Sequence, residues 1–451
     1  MKNILIAIRS IFKKGRHNVM KIVSLGIGLA VGLVLIAKVY FEQSYDGFYP
    51  DRDRVYQVWA KYQQNGGELK DYPQTSGGIA PTMQQQIPEI ETVTRYTSFG
   101  DWTFTMTDTK MKYSGRCIIA DSCFFDILPR PMLIGNAKEV LSTPMYVLVS
   151  SRIAKNIGGD VIGKNFTVDS SPGRTMTIGG VFEEVPENSH SRYDVIVSMA
   201  SAGRFMWEGS PTNMLGNDRY ISYVKLHKGV NPLALEEQVH TFVNSYFPPE
   251  EQQKTGFNIG FSFHELDGLH KELPQVKRMT WILSLLAFAL IFTAVMNYIL
   301  IVISSIVNRS KEVAVHKCYG ASENNIHGMM FGEALVHIVL SLILALLLIL
   351  AFRGTVEELL ATSLDSLLLS NGSLVLLGIC ILVFFVSGFM PGSLYARIPV
   401  ASAFRNYREN KRIWKKALLL VQFVATGFLV TMLVFVARQY TFMVNDRPGY
   451  A

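Results

Sequence analysis

The segment KIVSLGIGLAVGLVLIAKVYFEQSY, from Lys21 to Tyr45, has a counterpart near the end of the chain, KALLLVQFVATGFLVTMLVFVARQY, from Lys416 to Tyr440. The two segments align without a gap, and each begins at a basic residue and continues into an apolar stretch. Identical residues occupy several aligned positions, including Lys21/Lys416, Leu25/Leu420, Ala30/Ala425, Gly32/Gly427 and Tyr45/Tyr440. A membrane-spanning segment repeated in this way predicts that a second copy of one structural unit begins at Lys416.

The composition is typical of a membrane protein, because 49% of the residues are hydrophobic and the mean hydropathy is +0.23. A helix needs roughly 20 apolar residues to cross a bilayer. Five stretches meet that requirement, and they cover residues 22–41, 281–303, 334–352, 373–396 and 417–437. Lys38 lies close enough to the end of the first stretch for its ammonium group to reach the membrane surface.

The distribution of charge predicts the orientation, because short cytoplasmic loops are rich in lysine and arginine. The N-terminal segment is expected in the cytoplasm, since it carries Lys2, Arg9, Lys13, Lys14, Arg16 and Lys21. Alternating crossings then place the basic segments 309–317 and 397–416 inside and the acidic segment 353–372 outside. The inside segments largely explain the net charge of +7 and the pI near 9.0, so the basicity does not indicate a nucleic-acid partner.

A secretory signal peptide is the competing interpretation of the first stretch. Its charged region is too long for one, and no Ala-x-Ala-like cleavage site follows, so we interpret the stretch as a signal anchor. The preceding residues place apolar side chains at helical spacing among basic ones, at Ile4, Leu5, Ile8, Ile11 and Phe12. That pattern favours a helix on the inner leaflet, and a frayed cationic tail is the alternative.

The long segment between the first two stretches, residues 44–277, has the pattern of a mixed α/β domain outside the membrane. Residues 146–150 predict a strand that runs into a helix over 151–157, with Gly158 and Gly159 ending it. Residues 165–168 and 175–182 predict a hairpin. Cys117 and Cys123 lie in this domain, and they either form a disulfide in an oxidising compartment or remain buried thiols.

Two short motifs in the external segment resemble functional sites but lack a required residue. The glycine-rich run from Gly158 to Asn165 ends in asparagine, where a phosphate-binding loop needs serine or threonine to hold magnesium. His264 and His270 are too far apart for the zinc-protease signature, which needs its second histidine four residues after the first. We therefore expect neither a nucleotide-binding loop nor a metal site at these two motifs.

Two features of the predicted spans concern helix packing. Ser24, Gly28 and Gly32 form a stripe of small residues that allows another helix to approach closely, either within one bundle or across a dimer interface. Glu333 and His337 lie one helical turn apart in the third span. Such an ionisable pair serves either hydrogen bonding between helices or the handling of protons or ions.

The inside segment Arg309 to Ser322 predicts a short charged helix that Gly320 ends, with Ser322 capping the next helix. A compact helix at the boundary between membrane and cytoplasm can dock into a groove on a partner and transmit its movement. The alternative is a solvated basic turn that only fixes the topology.

The same segment resembles the signature R-x-x-E-[IV]-[GA]-[IV]-x-[RK]-x-x-G-A-[ST] of the MacB/FtsX-like ABC transporter permeases. The matching residues are Arg309, Glu312, Val313, Ala314, Val315, Lys317, Gly320, Ala321 and Ser322. Glu333 falls on a glutamate that often follows in the third helix of this family. Segments 25–30, 44–48, 53–56, 88–91, 121–125, 181–186 and 188–190 resemble the family as well, so the resemblance covers essentially the whole chain.

The resemblance implies an α-helical transmembrane bundle of the FtsX-like type, with a large α/β extracytoplasmic domain like the MacB periplasmic core. The expected organisation is a cytoplasmic helix at 1–20, a first span at 21–43, the external domain at 44–277, a permease domain with spans two to four at 278–400, a basic linker at 401–416, a fifth span at 417–440 that starts the second repeat, and the beginning of a second external domain at 441–451.

The resemblance also implies a function. The chain would be a non-enzymatic permease subunit in a bacterial inner membrane, and the segment from Arg309 through Lys311 to Ser322 would contact a cytoplasmic P-loop ATPase, which binds the ATP. Other expected partners are a second permease unit and a periplasmic adaptor or outer-membrane channel. The subunit would serve export or mechanotransmission in the envelope. The alternatives are a regulatory scaffold that activates an envelope enzyme such as a cell-wall hydrolase, and a membrane-anchored sensor.

Overall fold

The computed structural model describes residues 17–169, 171–369, 372–396 and 413–445. The chain divides into two compact units. One is Ser44–Leu273, and the other contains the long apolar helices that precede and follow it in the sequence. The predicted N-terminal amphipathic helix and most of the linker at 401–416 lie outside the described residues. The compact unit ends at Leu273, whereas the sequence places the boundary at residue 277.

The chain enters the described part through helix α1 (Asn18–Gln43), which contains the first predicted span. The unit Ser44–Leu273 follows, and its strands and short helices alternate in the order β1 (Val55–Gln64), β2 (Lys70–Tyr72), α2 (Ile79–Gln86), β3 (Ile90–Met106), β4 (Lys112–Ala120), α3 (Phe124–Ile127), β5 (Met132–Ile134), α4 (Ala137–Ser142), β6 (Tyr146–Ser150), α5 (Ser151–Ile157), β7 (Asn165–Val168), β8 (Ser171–Phe182), β9 (Val195–Ser198), α6 (Ala202–Phe205), β10 (Ile221–Leu226), α7 (Glu236–Tyr246), α8 (Pro249–Thr255) and β11 (Phe257–Glu265).

These strands form one 11-stranded sheet in the order β11-β1-β10-β3-β4-β9-β6-β8-β5, with β2 beside β1 and β7 between β3 and β8. Most neighbours are antiparallel, and β4 with β9 and β6 with β8 are parallel. Strand β3 is long enough to serve both halves of the sheet, pairing with β10 through its first half and with β7 through its end. The register with β4 shifts between Ser98 and Gly100, and a bulge of this kind bends the strand and increases its twist.

Local sequence signals account for several of these elements. Strand β6 passes into α5 at Ser150, whose side chain accepts a hydrogen bond from Ile153 N at 3.3 Å and so caps the helix. Gly158 then ends α5 with a φ of 75°, which suits a residue without a Cβ atom. The structure therefore contains the strand, helix and hairpin that the sequence predicts in this region.

After Leu273 the chain is helical through most of its described length. The helices are α9 (Pro274–Ser304), α10 (Ile306–Cys318), α11 (Glu323–Ala351), α12 (Arg353–Leu360), α13 (Leu364–Leu368), α14 (Ser373–Ala396) and α15 (Ile413–Asn445). Among the described residues, four helices are long and apolar enough to cross a membrane: α1, α9, α11 and residues Ser373–Ser393 of α14. The fifth predicted span lies within α15, where the apolar stretch Leu419–Met432 is shorter, and it stays a prediction.

The glycines of α1 face its neighbours within the same chain. A Cβ atom at Gly28 would overlap the side chain of Ala294 in α9, and one at Gly32 would overlap Ile291 in the same helix. Gly26 lies against α11, where an added Cβ atom would come 2.9 Å from Leu344 Cδ2. The small residues of α1 therefore allow close packing inside one bundle, which is one of the two uses that the sequence leaves open.

Lys38, near the end of the first predicted span, contacts polar groups inside the helical unit. Its side chain is buried, with its ammonium group 2.6 Å from Glu42 Oε1 and 2.8 Å from Thr362 Oγ1 in the turn between α12 and α13. A carboxylate one helical turn away and a hydroxyl group from a distant segment offset the cost of burying the charge. The acidic segment 353–372, moreover, is largely helical, with α12 and α13 bracketing this turn.

The close approach of α1 to α9 predicts that Gly28 tolerates no larger side chain. Gly28→Val is expected to lower the free energy of unfolding of the detergent-solubilised chain by about 2 kcal/mol, and with it the melting temperature, because the added side chain would push the two helices apart. A matched control is Gly378→Val in α14, where an added Cβ atom meets nothing within 4 Å. Equal melting temperatures for the two variants would contradict this account of the packing.

Candidate coupling site

Helix α10 is a short helix held between the long helices α9 and α11. It ends at Cys318, where Gly320 N donates to Lys317 O at 3.0 Å and Ala321 N donates to His316 O at 3.0 Å. Gly320 has a φ of 86°, and these two hydrogen bonds define a Schellman motif at the end of the helix. Ser322 then caps α11 by accepting a hydrogen bond from Asn325 N at 3.3 Å. The predicted helix stop and restart are both present.

Helix α10 has one face buried in the helical bundle. Ser310, Val313 and Ala314 are almost fully buried, and Val313 and Ala314 belong to the hydrophobic core that α1, α9 and α11 share. Residues spaced three and four apart lie on one side of a helix, so these side chains form a single anchoring face. The helix is therefore packed into the bundle, which argues against a solvated turn.

The opposite face of α10 is exposed. Lys311, Val315 and His316 are exposed there, and Tyr319 at the C-terminal end is 89% exposed. Glu312 and Lys317 are half-buried. We call the exposed residues Lys311, Val315, His316 and Tyr319 the coupling face. Two exposed apolar side chains beside a basic one form a surface that can dock against another protein.

The structure brings most of the predicted coupling residues together on α10 and the turn that follows it. The backbone of Arg309 belongs to α10, but its side chain lies outside the described part of the chain. The sequence assigns no role to Tyr319, because it occupies a variable position of the motif. The exposure of Tyr319 beside the glycine that ends the helix depends on how α10 packs against the other helices, so the neighbouring sequence does not predict it.

Polar contacts tie α11 to its two neighbours inside the bundle. Lys21 Nζ of α1 lies 3.5 Å from Glu333 Oε1 of α11, and both side chains are at least nine-tenths buried. Tyr298 of α9 and His337 Nδ1 of α11 are hydrogen-bonded at 3.2 Å. Ser341 Oγ donates to the carbonyl oxygen of Ile22 at 3.1 Å. Glu333 and His337 thus serve contacts between helices, which is one of the two uses that their spacing suggests.

A second polar cluster lies at the start of the unit Ser44–Leu273. Asp46 is fully buried, and its carboxylate accepts hydrogen bonds from Ser189 Oγ at 3.1 Å and His190 N at 3.3 Å. His190 Nδ1 lies 2.7 Å from Asp46 Oδ2, and His190 Nε2 contacts the Tyr223 hydroxyl group on strand β10. Burial raises the pKa of Tyr223 well above its ordinary value, so the phenol stays protonated. We call Asp46, Ser189, His190 and Tyr223 the base cluster.

The segments that begin and end this unit are also in contact with each other. The rings of Tyr45 and His270 are stacked with centroids 3.4 Å apart, and Arg52 Nε lies 3.3 Å from Asp267 Oδ1. Tyr45 follows α1 closely in the chain, and His270 shortly precedes α9. The two connections to the helical unit are therefore joined to each other beside the base cluster.

The motifs that the sequence sets aside have structural roles. Lys164 Nζ donates to Gly158 O at 3.2 Å, which closes the glycine-rich loop on itself. The His264 ring is stacked on Trp59 at a centroid distance of 4.2 Å. Within the described residues, no group of three or more histidine, cysteine or acidic side chains could hold a metal ion. Cys117 and Cys123 are both free thiols, and burial raises the pKa of each.

Comparison with known proteins relates the chain to permeases. Residues 284–400 match the family described as FtsX-like permease C-terminal. A domain of a putative permease protein from Porphyromonas gingivalis is 32% identical, with a TM-score of 0.44, over 48% of this chain and 91% of that chain. No curated protein sequence matches the chain.

Two further solved structures are similar at lower identity. The periplasmic region of MacB from Actinobacillus actinomycetemcomitans is 14% identical, with a TM-score of 0.34, over 49% of this chain and 92% of that chain. The extracellular domain of the noncanonic ABC-type transporter YknZ from Gram-positive bacteria is 10% identical, with a TM-score of 0.33, over 46% of this chain and 98% of that chain.

The ion pair between α1 and α11 predicts a large effect when one partner is removed. Glu333→Leu is expected to lower the free energy of unfolding by about 3 kcal/mol, because Lys21 stays buried without this carboxylate. The double variant Lys21→Met/Glu333→Leu should recover most of that loss. Thermal unfolding in detergent provides the measurement, and a single variant as stable as the unmodified chain would contradict the prediction.

The base cluster predicts that Asp46 is needed for local order. Asp46→Ala leaves the Ser189 hydroxyl group and the His190 N–H group without their acceptor. It should therefore lower the free energy of unfolding by at least about 3 kcal/mol. Hydrogen–deuterium exchange in the full chain should show faster exchange in residues 44–49 and 188–193. Asp53→Ala, at an exposed position nearby, is the control. Unchanged exchange in both segments would refute this role of Asp46.

Proposed function

The chain belongs to the FtsX-like permease family, and from that membership we propose that it is the membrane subunit of an ABC-type transporter. In this proposal a cytoplasmic P-loop ATPase binds and hydrolyses ATP, and the permease converts the movement of the ATPase into movement of its external domain. The observation that carries the proposal is α10, a short helix with one face in the bundle core and the other exposed.

The coupling face has the chemistry of a docking surface. Val315 is 43% exposed and Tyr319 is 89% exposed, so both could bury apolar surface in a groove of the ATPase. Lys311 adds a positive charge beside them and would pair with an acidic rim on the partner. ATP is bound by the partner in this scheme, so the permease needs no cofactor of its own.

The buried face of α10 makes the movement effective. Because Val313 and Ala314 are packed in the core that α1, α9 and α11 share, a displacement of α10 has to displace those helices as well. The contacts of Glu333 and His337 link α11 to α1 and α9, so the three helices would respond together. Close-packed interiors transmit such displacements because they have few voids to absorb them.

The external domain receives this movement through its two connections to the bundle. The Tyr45–His270 stack joins those connections, and the base cluster fixes the first of them to strand β10. A displacement at either connection would therefore reach the sheet instead of being absorbed in a loose linker.

We place the chain in a bacterial inner membrane, with its N-terminus in the cytoplasm and the unit Ser44–Leu273 on the outer side. A second permease unit would complete the transporter. The domain would act on a cargo or an envelope partner, such as a periplasmic adaptor or an outer-membrane channel.

The first test is purification of the full chain from its native membranes in mild detergent, followed by quantitative mass spectrometry of the proteins that accompany it. A P-loop ATPase at a stoichiometric ratio is the expected result. Intact and folded chain without such an ATPase would overturn the proposal.

Charge reversal on α10 tests the site itself. Glu312→Lys and Lys317→Glu are each expected to reduce the amount of bound ATPase at least about tenfold and to abolish activity, while membrane insertion is unchanged. Glu358→Lys, on the exposed surface of α12, is the matched control and should retain the ATPase. A fully active double reversal, Glu312→Lys/Lys317→Glu, would show that these charges do not form the coupling contact.

A further inference from the structure

Strand β11 is an edge of the 11-stranded sheet, and its free side carries main-chain groups that point away from β1. Asn65 N donates to Gly256 O at 2.6 Å, so this pair is a hydrogen-bonded pair of the antiparallel ladder. Bonded and non-bonded pairs alternate along such a ladder. Consequently Ile259, Phe261 and Phe263 direct their N–H and C=O groups to the free side.

Two neighbouring contacts confirm this direction and define the open part of the edge. Ile259 N donates outward to Gln252 Oε1 of α8 at 3.2 Å, and Glu265 O accepts from Leu269 N at 3.1 Å. Among the described residues, the main-chain groups of Phe261 and Phe263 have no hydrogen-bond partner on that side. The open edge therefore extends from the carbonyl group of Ile259 to Phe263.

A groove of about 410 Å³ runs beside this open edge. Apolar side chains of the sheet and of α7 line it. One of them is Phe261, whose ring packs against Phe242 of α7 at a centroid distance of 6.0 Å. The lining residues are Lys61, Pro232, Glu236, Val239, His240, Val243 and residues 259–263. Main-chain donors and acceptors thus lie directly alongside an apolar groove.

We propose that this edge binds an extended peptide segment of another protein, which joins the sheet as an additional strand. Its backbone would pair with β11 between Ile259 and Phe263, and the apolar side chains at its alternate positions would fill the groove against α7. Strand addition of this kind takes its affinity from main-chain hydrogen bonds and its specificity from pockets for alternate side chains.

The size and charge of the site favour a peptide over other occupants. Five strand residues span only about 17 Å, a strip one side chain wide, whereas a stable interface between two folded copies needs about 800 Å² from each partner. Lys61 and Glu236 both line the groove and carry opposite charges. The groove therefore suits a neutral apolar segment better than an anion. Strand β11 also lacks the lysines and prolines that commonly protect an edge.

The test uses the full chain in detergent micelles and a fluorescein-labelled octapeptide of alternating valine and threonine with both ends blocked. Fluorescence anisotropy should show saturable binding, with empty micelles as the background. The same peptide with N-methyl groups at alternate residues should bind at least about tenfold more weakly, because its hydrogen-bonding edge is blocked. No saturable binding, or equal binding of both peptides, would overturn the proposal.

A matched pair of variants tests the edge of the protein. Phe261→Pro removes the outward N–H group, and the preceding residue, Gly260, accommodates a proline better than a bulkier residue would. Phe261→Ala removes the ring and keeps the N–H group. We expect Phe261→Pro to bind the peptide at least about tenfold more weakly than Phe261→Ala, and equal affinities would refute pairing at this edge.

Hydrogen–deuterium exchange on the unmodified chain keeps the proposal testable if Phe261→Pro fails to fold. The peptide should protect residues 257–265, and it should leave β5, the strand at the other end of the sheet order, unprotected. Protection of β5 alone would overturn the proposal. So would protection of residues 257–265 that rises with the concentration of the chain alone, because a second copy would then be the occupant.

Discussion

The close approach of α1 to its neighbours is the constraint on which the helical unit depends. Helices in a membrane gain little from the hydrophobic effect, so they associate through tight packing and polar contacts. Gly28 and Gly32 provide the tight packing, because any side chain there would overlap α9. Gly26 lies against α11 in the same way, and on that side of α1 Lys21 reaches Glu333 and Ser341 reaches the carbonyl group of Ile22. Packing and polar contacts in this bundle therefore support each other.

Helix α10 acquires its significance from the same packing. A short helix beside a loosely packed bundle could move without consequence, but Val313 and Ala314 are inserted into a core that three long helices share. The coupling face is then a surface through which an outside force could act on the whole bundle. In the unit Ser44–Leu273 the base cluster has a comparable role, since it fixes the segment after α1 to the sheet through the buried carboxylate of Asp46.

The sheet of the unit Ser44–Leu273 combines a fixed base with an open edge. Hydrogen bonds and aromatic contacts hold together the segments that begin and end this unit, whereas β11 leaves main-chain groups exposed beside an apolar groove. An exposed edge invites pairing with other chains, and natural sheets commonly cover or charge it. Here Gln252 covers only the beginning of the edge, at Ile259. The rest has the geometry of a place where another segment can be added.

The sequence by itself determined the features that depend on neighbouring residues. Hydropathy located the long helices, Gly320 and Ser322 marked the end of α10 and the start of α11, and Ser150 with Gly158 delimited α5. Only the tertiary structure decided which distant groups meet. It brought Thr362 to Lys38, Tyr298 to His337 and His190 to Asp46, and it left Tyr319 exposed and β11 at an edge. Periodicity and capping report the environment within a few residues of a position, whereas partners far apart in the chain are chosen by how helices and strands pack.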